Sequence, residues 1–225
     1  NIKYENIFIK NQTFNEEKEP LNISNIKIDT PVKILSWTEE YAVSTNNISN
    51  FSYEGNKILL SKSSKLSKNT FSKNNLNKKI FFYKDNLISY DHKGTIFIYS
   101  LILKKKIFKY NFYKKKFKNF NKEINIIINE NVLYAADNLG YLYALNLDDN
   151  SIIWAKNYGI PFRSNLKFIN NQIFLSNQDN VIYSIDSNTG SINWQFATSL
   201  TFLKSDFKNN FALDEINNNL FFLNT

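Results

Sequence analysis

Asp179 to Trp194 reads DNVIYSIDSNTGSINW, and the same pattern stands 40 residues earlier in Leu139 to Trp154, which reads LGYLYALNLDDNSIIW. A third copy, His92 to Phe108 (HKGTIFIYSLILKKKIF), precedes these two, and Asn218 to Thr225 (NNLFFLNT) begins a fourth. A repeat of about 40 residues that ends in one large aromatic side chain indicates stacked copies of a single structural unit.

Each copy contains a short segment, such as 141–146 or 181–186, whose side chains would alternate between the two faces of a strand. The side chains on both of these faces are largely apolar. A strand of this composition is covered on both faces. Gly94, Gly140 and Asn180 precede the segment in the three copies. Because these residue types tolerate positive φ, we predict a hairpin turn at this place in every copy.

A second turn is predicted after the segment. Ser100, Asn146 and Asp186 stand there, and their side-chain oxygens can accept a hydrogen bond from a backbone N–H group two residues on. Asn150 and Gly190 then occupy a further position that suits a left-handed backbone. The pattern therefore indicates two antiparallel strands joined by a tight turn.

The first copy departs from this pattern at Lys104, where we expect the left-handed position to be broken. Each copy then ends in a strand that carries Phe108, Trp154 or Trp194. A large aromatic residue at a fixed place suits wedging between neighbouring sheets, where it would bury about 150–250 Å². We interpret these three side chains as ordinary core.

Two more strands are predicted upstream of each turn, for example at 165–169 and 173–176. Four strands in a unit of about 40 residues form the blade of a β-propeller, and no stretch shows sustained helical periodicity. We therefore predict an all-β chain, a β-propeller of four-stranded blades. Since the last unit stops halfway, we expect an incomplete ring of about 4–5 blades and a longer complete protein.

The stretch Tyr183 to Trp194 (YSIDSNTGSINW) resembles the blade motif of the quinoprotein-type, or PQQ-like, repeat, usually written Y-A-L-D-x-x-T-G-x-x-x-W. The resemblance covers residues 80–225, and 48–60 (ISNFSYEGNKILL) reads as an earlier blade end. We expect residues 1–45 to be an N-terminal linker or peripheral strands. The blades are expected in 46–225, with the last blade incomplete.

Two functional branches share this repeat. In the quinone-dependent dehydrogenases the propeller encloses the cofactor and a calcium ion. The other branch is non-enzymatic and is represented by the BamB family of outer-membrane assembly lipoproteins. The whole chain is most similar to the second branch, in a version from an AT-rich bacterium. The resemblance implies a protein-binding scaffold without cofactor or metal that assists the assembly and insertion of β-barrel proteins.

The same resemblance implies partners and location. The partners would be the barrel-forming, BamA-like assembly protein and unfolded barrel clients, and the protein would be a monomer within a complex. It would lie in the periplasm at the inner face of the outer membrane, held by a lipid anchor outside this chain.

A local match implies which residues bind the partner. BamB-type proteins contact the barrel-forming partner through an inter-blade loop of the form L-x-L-R. Here Ile160, Phe162 and Arg163 stand in the corresponding loop, and Arg163 is the only arginine of the chain. Lysine does not replace arginine where a planar, bidentate donor is needed. Alternatively, Ile160 and Phe162 fill the gap between blades and Arg163 is a surface charge.

The net charge of +8 raises the question of nucleic acid. Lys104 to Lys122 holds nine lysines and six aromatic residues, a composition that can stack bases. The same span fits the last strand of one blade and the connection to the next. We therefore expect no nucleic-acid partner, and a weak attraction to anionic lipid head groups is the stronger alternative.

No catalytic set is visible in the sequence. Cysteine is absent, which excludes disulfides and thiol ligands, and His92 is the only histidine. We expect Asp91, Asp137 and Asp186 to accept hydrogen bonds from nearby backbone donors in turns. We therefore predict that the chain is not an enzyme. The alternatives are a fragment of a PQQ-dependent dehydrogenase and a polysaccharide-binding propeller, which the aromatic content favours mildly.

Overall fold

The structure is a computed structural model that describes residues 28, 30–52, 79–113, 115–117, 119–198 and 208–223. These ranges form 14 strands: β1 (Phe81–Tyr83), β2 (Asn86–Tyr90), β3 (Thr95–Ser100), β4 (Lys105–Asn111), β5 (Ile124–Asn129), β6 (Val132–Asp137), β7 (Tyr141–Asn146), β8 (Ile152–Asn157), β9 (Lys167–Ile169), β10 (Gln172–Ser176), β11 (Val181–Asp186), β12 (Ile192–Ala197), β13 (Asn210–Asp214) and β14 (Asn219–Leu223). A short 3-10 turn spans Lys115–Phe117, and the described ranges contain no α-helix. Most of the blade end predicted at 48–60 lies outside the described residues.

The strands form successive antiparallel sheets in sequence order. Sheet 1 is β1 to β4, sheet 2 is β5 to β8, sheet 3 is β9 to β12, and β13 with β14 forms a two-stranded sheet 4. The first strands of sheets 2, 3 and 4 lie side by side, since β5 contacts β9 and β9 contacts β13. Four-stranded meanders whose first strands converge are the blades of a propeller. The predicted fold class is confirmed.

The third strand of each complete sheet packs on both faces. In β7, Tyr143 and Leu145 enter the core between sheets 1 and 2. Leu142 and Ala144 point the other way and enter the core between sheets 2 and 3. All four side chains are fully buried. The expectation of a strand covered on both faces is confirmed, because the period-2 alternation of a strand sends neighbouring residues to opposite sheets.

The turn between the second and third strands has one design in the three complete sheets. Its first residue accepts, through Oδ1, hydrogen bonds from the backbone N–H groups two and four residues on. These acceptors are Asp91, Asp137 and Asn177. Three residues later φ is positive, 77° at Gly94, 83° at Gly140 and 59° at Asn180, as predicted. The side-chain acceptor and the left-handed residue together close the hairpin.

The second predicted turn is also present. Asn146 Oδ1 accepts a hydrogen bond from Asp148 N (2.8 Å), and Asp186 Oδ1 accepts from Asn188 N (3.1 Å). The left-handed position follows, with φ of 60° at Asn150 and 67° at Gly190. We expected Lys104 to break this pattern, but φ is 51° there as well. The turn in sheet 1 therefore keeps the backbone geometry in spite of its lysine.

The terminal aromatic residues do not share one environment. Phe108 is 8% exposed, and Trp154 packs on sheet 3, where its Nε1 donates to Ser187 O at 2.8 Å. A Cβ atom on Gly190 would lie 2.6 Å from Cε3 of Trp154. The wedge prediction is confirmed for these two residues. Trp194 differs, since it is 45% exposed and contacts Phe174 of its own sheet at 5.9 Å between ring centroids.

The contact between Trp154 and Gly190 predicts a costly substitution. Gly190→Ala adds a methyl group against the indole at a residue with φ of 67°, so it combines a clash with backbone strain. We expect a loss of roughly 3 kcal/mol in the free energy of unfolding, measured by urea denaturation.

The matched control is Gly159→Ala. Gly159 has φ of 82° but no atom within 4 Å of an added Cβ, so only strain remains. We expect a loss of about 1 kcal/mol. Equal losses in the two variants would show that the indole does not require a glycine.

Candidate functional site

The space around the propeller axis is occupied by the chain itself. Residues 37–46, the axial segment, reach the first strand of each sheet. In sheet 1, Trp37 N donates to Phe82 O (2.7 Å) and Phe82 N donates to Trp37 O (2.9 Å). In sheet 2, Ile128 N donates to Thr38 O at 2.8 Å. The axial segment therefore pairs with backbone groups that face the axis.

The axial segment continues to the other two sheets. Lys167 of sheet 3 donates through Nζ to Val43 O at 3.2 Å. In sheet 4, Leu213 N donates to Ser44 O at 2.9 Å, and Asn46 Nδ2 donates to Phe211 O at 2.7 Å. The axial segment thus forms hydrogen bonds with all four sheets, which follow one another along the chain.

A buried ion pair joins the axial segment to sheet 3. Lys167 is fully buried, Glu39 is 8% exposed, and Lys167 Nζ donates to the Glu39 carboxylate. Burial raises the pKa of Glu39 and lowers the pKa of Lys167, because desolvation disfavours the charged form of each group. The hydrogen bond between them opposes both changes. Either charge would be costly at this place without the other.

A second cluster of charged side chains is centred on Glu40, the residue after Glu39. Its carboxylate contacts the ammonium groups of Lys79 and Lys208, and Lys208 Nζ also donates to Asn125 Oδ1 at 2.7 Å. Burial lowers the pKa of Lys208 to about 8. Burial, followed by repulsion from Lys208, lowers the pKa of Lys79 to about 7. The carboxylate between two lysines links sheets 1, 2 and 4 to the axial segment.

The ion pair predicts a single variant that is less stable than a double variant. Glu39→Gln leaves the Lys167 ammonium buried without a carboxylate, and we expect a loss of about 3–5 kcal/mol in the free energy of unfolding. Glu39→Gln combined with Lys167→Met removes the buried charge and should recover most of that loss.

Urea denaturation of both variants tests this. The control is Glu130→Gln at an exposed position, where we expect a change within about 0.5 kcal/mol. A double variant as unstable as Glu39→Gln alone would mean that the pair does not act as a unit.

The predicted binding residues lie on a loop that is tied to the sheets on both sides. We define this inter-blade loop as residues 158–164. Toward sheet 2, Tyr158 N donates to Gly140 O (2.8 Å) and Phe162 N donates to Asp137 O (3.1 Å). Toward sheet 3, Arg163 N donates to Ser176 O at 3.0 Å. Backbone hydrogen bonds at both ends hold the loop in one conformation.

The three predicted residues differ in exposure. Phe162 is 2% exposed and packs edge-on against Tyr158 and Tyr183, with ring centroids 5.5 and 6.2 Å away. Its ring thus fills the gap between sheets 2 and 3. Ile160 and Arg163 are half-buried and keep exposed surface. The structure brings all three onto one loop, and their role in partner binding stays a prediction.

Arg163 carries an incompletely bonded guanidinium. Its Nε is buried and has no hydrogen-bond partner among the residues that the structure describes. An unpaired buried donor costs about 1–3 kcal/mol, and an acceptor from a bound molecule would recover part of that cost.

A groove next to the inter-blade loop was not predicted from the sequence. It has a volume of about 440 Å³ and lies between the last strand of sheet 2 and the outer half of sheet 3. Its lining residues are Lys156, Asn157, Tyr158, Tyr183, Gly190, Ser191, Ile192 and Gln195. Tyr158 belongs to both the groove and the loop, and its hydroxyl donates to Gly190 O at 2.6 Å. The motif residues Tyr183 and Gly190 were visible in the sequence, but nothing placed Tyr158 beside them.

The aspartates singled out in the sequence serve their turns. Asp91, Asp137 and Asp186 all accept backbone N–H groups, as predicted. Asp137 also accepts the Tyr113 hydroxyl at 2.5 Å, and burial raises the pKa of both groups. Within the described ranges, no three His, Cys, Asp or Glu side chains lie close enough to hold a metal ion. None of the described segments is a helix long and apolar enough to span a bilayer.

Part of this chain is similar in sequence to a known protein. Over 69 residues the chain is 33% identical to "Outer membrane protein assembly factor BamB" of Legionella pneumophila (strain Paris). This chain resembles BamB. The matched part is 31% of this chain and 17% of the Legionella protein. No protein-family model matches the chain.

Solved structures give weaker similarities. BamB from Moraxella catarrhalis is 17% identical with a TM-score of 0.46, over 57% of this chain and 38% of that one. A quinohemoprotein alcohol dehydrogenase from Pseudomonas putida HK5 is 11% identical with a TM-score of 0.44, over 54% and 21% of the two chains. The fold assignment rests on the sheets themselves, and the resemblance rests on the match to the Legionella protein.

Proposed function

We propose that this chain is a non-enzymatic protein-binding scaffold that assists the assembly of outer-membrane β-barrel proteins. The observation that carries the proposal is the 33% identity over 69 residues with BamB of Legionella pneumophila. A barrel-forming, BamA-like partner, unfolded barrel clients, a periplasmic location and a lipid anchor outside this chain all belong to the proposal. The mechanism is steric, since a rigid repeat scaffold holds its partners side by side.

The inter-blade loop is the contact that we propose for the barrel-forming partner. Its backbone is held by hydrogen bonds to both neighbouring sheets, so little conformational entropy is lost on binding. Arg163 can offer a planar pair of donors to a carboxylate or carbonyl group, and Ile160 adds an apolar contact beside it. Arginine is among the residue types that contribute most to interface energies.

Phe162 acts from beneath the loop in this proposal. Because its ring is buried between Tyr158 and Tyr183, its truncation would disturb the core that supports the loop. Phe162→Ala should lower the free energy of unfolding by about 3–5 kcal/mol. Substitutions of Arg163 and Ile160 therefore test partner binding without this loss of stability.

The proposal predicts a binding defect without a folding defect. Arg163→Ala should weaken binding to the purified BamA-like protein of the same organism at least about tenfold, or about 1.4 kcal/mol. Arg163→Lys should also bind weakly, because it keeps the charge but loses the planar donor pair. Equilibrium dissociation constants from biolayer interferometry and melting temperatures of each variant measure the two effects separately.

Lys156→Ala is the matched control, since Lys156 is an exposed cation in the neighbouring groove. It should bind like the wild type. Undiminished binding by both Arg163 variants would remove the loop from the interface, and no binding by the wild type would contradict the scaffold role. Reduction of a redox dye after addition of PQQ and calcium would contradict the scaffold proposal and indicate an oxidoreductase.

A further inference from the structure

The hairpin turn between β3 and β4 of sheet 1 carries two exposed aliphatic side chains at its end. Ile102 is 73% exposed and Leu103 is 58% exposed. In sheets 2 and 3 the residues at the same two places of the turn are polar, and they are Asp148 with Asp149 and Asn188 with Thr189. Among the complete sheets of the described chain, sheet 1 alone therefore presents an aliphatic pair there.

The backbone of this turn is held by hydrogen bonds. Leu103 N donates to Ser100 Oγ at 3.2 Å, and Leu101 N donates to Asp85 O at 2.9 Å in the adjoining turn between β1 and β2. The backbone bond to the adjoining turn recurs in sheets 2 and 3. Because the same turn forms there with polar residues at its end, the fold does not require an aliphatic pair.

Lysines surround the aliphatic pair. We define the basic tip as residues 84–85 and 101–106. Residues 104–106 are three exposed lysines, and Lys84 is exposed on the adjoining turn. Asp85 is the one acidic residue of the basic tip, so four lysines and one aspartate leave a net charge of +3.

This positive charge is confined to sheet 1. The residues of sheet 3 that correspond to the basic tip, 170–171 and 187–192, carry no charged side chain. The corresponding residues of sheet 2 include no lysine and three acidic residues, which are Glu130, Asp148 and Asp149. A negatively charged surface is therefore attracted to one corner of the molecule and repelled by the next.

Two of these lysines are positioned by neighbouring side chains. Lys84 Nζ donates to Asn131 Oδ1 at 2.6 Å, and Lys106 Nζ lies 5.6 Å from the centre of the Phe97 ring. Both lysines remain exposed, so their ammonium groups can reach a partner while the stems stay on the protein.

A lipid bilayer with anionic head groups fits this combination of side chains. Its phosphates attract ammonium groups, and its acyl chains, just below, accept aliphatic side chains. Single-stranded nucleic acid is bound through aromatic stacking, but residues 101–106 include no aromatic residue. Peptides bind in grooves or along sheet edges, whereas the end of a hairpin projects and can enter a soft surface.

We propose that the basic tip binds the surface of an anionic lipid membrane. Ile102 and Leu103 enter the boundary between head groups and acyl chains, and the lysines at 104–106 stay at the level of the phosphates. The contact depends on both kinds of side chain, since the lysines attract the membrane and the aliphatic pair inserts into it. The inference does not rest on the proposed function, because lipid binding by this turn requires no BamA-like partner.

Cosedimentation of the chain with lipid vesicles tests the proposal. One set of vesicles is pure phosphatidylcholine, and the other contains about one quarter phosphatidylglycerol. We expect the chain to bind the second set at least about tenfold more tightly at low salt, because the lysines meet anionic head groups only there. Salt at about 1 M should remove most of this difference.

The aliphatic pair is tested by Ile102→Asn combined with Leu103→Thr, which copies the turn of sheet 3 and so should keep the fold. We expect binding to the anionic vesicles to fall at least about tenfold. The control is Ile216→Asn, at a residue that is 91% exposed in the turn between β13 and β14 and precedes no lysine. It should bind like the wild type, and urea denaturation shows that each variant is folded.

The lysines are tested by replacing all three residues of 104–106 with glutamine, which should also weaken binding at least about tenfold. The matched control removes the same charge from exposed lysines elsewhere, through Lys93→Gln, Lys115→Gln and Lys156→Gln. We expect this control to lose less than about threefold, because its lysines lie outside the basic tip.

Insertion itself is measured with a dye. The chain contains no cysteine, so Ile102→Cys gives a single site for a fluorophore whose emission shifts to the blue in an apolar environment. We expect this shift with the anionic vesicles. The same dye on Ile216→Cys should show no shift.

Three results would overturn the proposal. The first is absence of binding to the anionic vesicles, or equal losses in the two glutamine variants, since neither is compatible with a lipid site at the basic tip. The second is full binding by the variant with Asn and Thr at 102 and 103, without a blue shift of the dye, which would leave only a general attraction of charges. The third is self-association in sedimentation velocity that this variant abolishes, which would assign the aliphatic pair to a second copy.

Discussion

The three complete sheets in the described part of the chain are apolar on both faces, and the rest of the structure depends on that constraint. A strand such as β7 buries Tyr143 and Leu145 on one side and Leu142 and Ala144 on the other, so no sheet can be covered by one neighbour alone. The hydrophobic effect therefore drives the sheets into a stack, with each sheet covering the next.

Stacking brings the first strands of the sheets together and creates a space that must be filled. The axial segment fills it with backbone hydrogen bonds and with two carboxylates placed against lysines of the surrounding sheets. Buried ion pairs of this kind contribute little net stability, but a missing partner is costly, which favours one arrangement of the sheets over others. With the axis occupied by Glu39 and Glu40, the surfaces left for partners are the loops and the outer strands.

A scaffold function suits these surfaces. The inter-blade loop combines a backbone held from both sides with a buried aromatic support, Phe162, and with the half-buried Ile160 and Arg163. The groove beside the loop shares Tyr158 with it. Recognition there would use shape and hydrogen-bond donors. The aspartates near the turns already accept backbone N–H groups and serve the fold.

The sequence by itself determined the repeat, the two-faced strands and both turns, down to the positive φ at Gly94, Gly140 and Asn180. These features depend on interactions within a few residues, which local sequence encodes directly. Only the tertiary structure decided the axial segment, the burial of Phe162 and the exposure of Trp194. Glu39 meets Lys167 across 128 positions of chain, and a contact of that kind leaves no periodic signal. Trp154 and Trp194 look alike in sequence, but their burial depends on the sheet that lies against each of them.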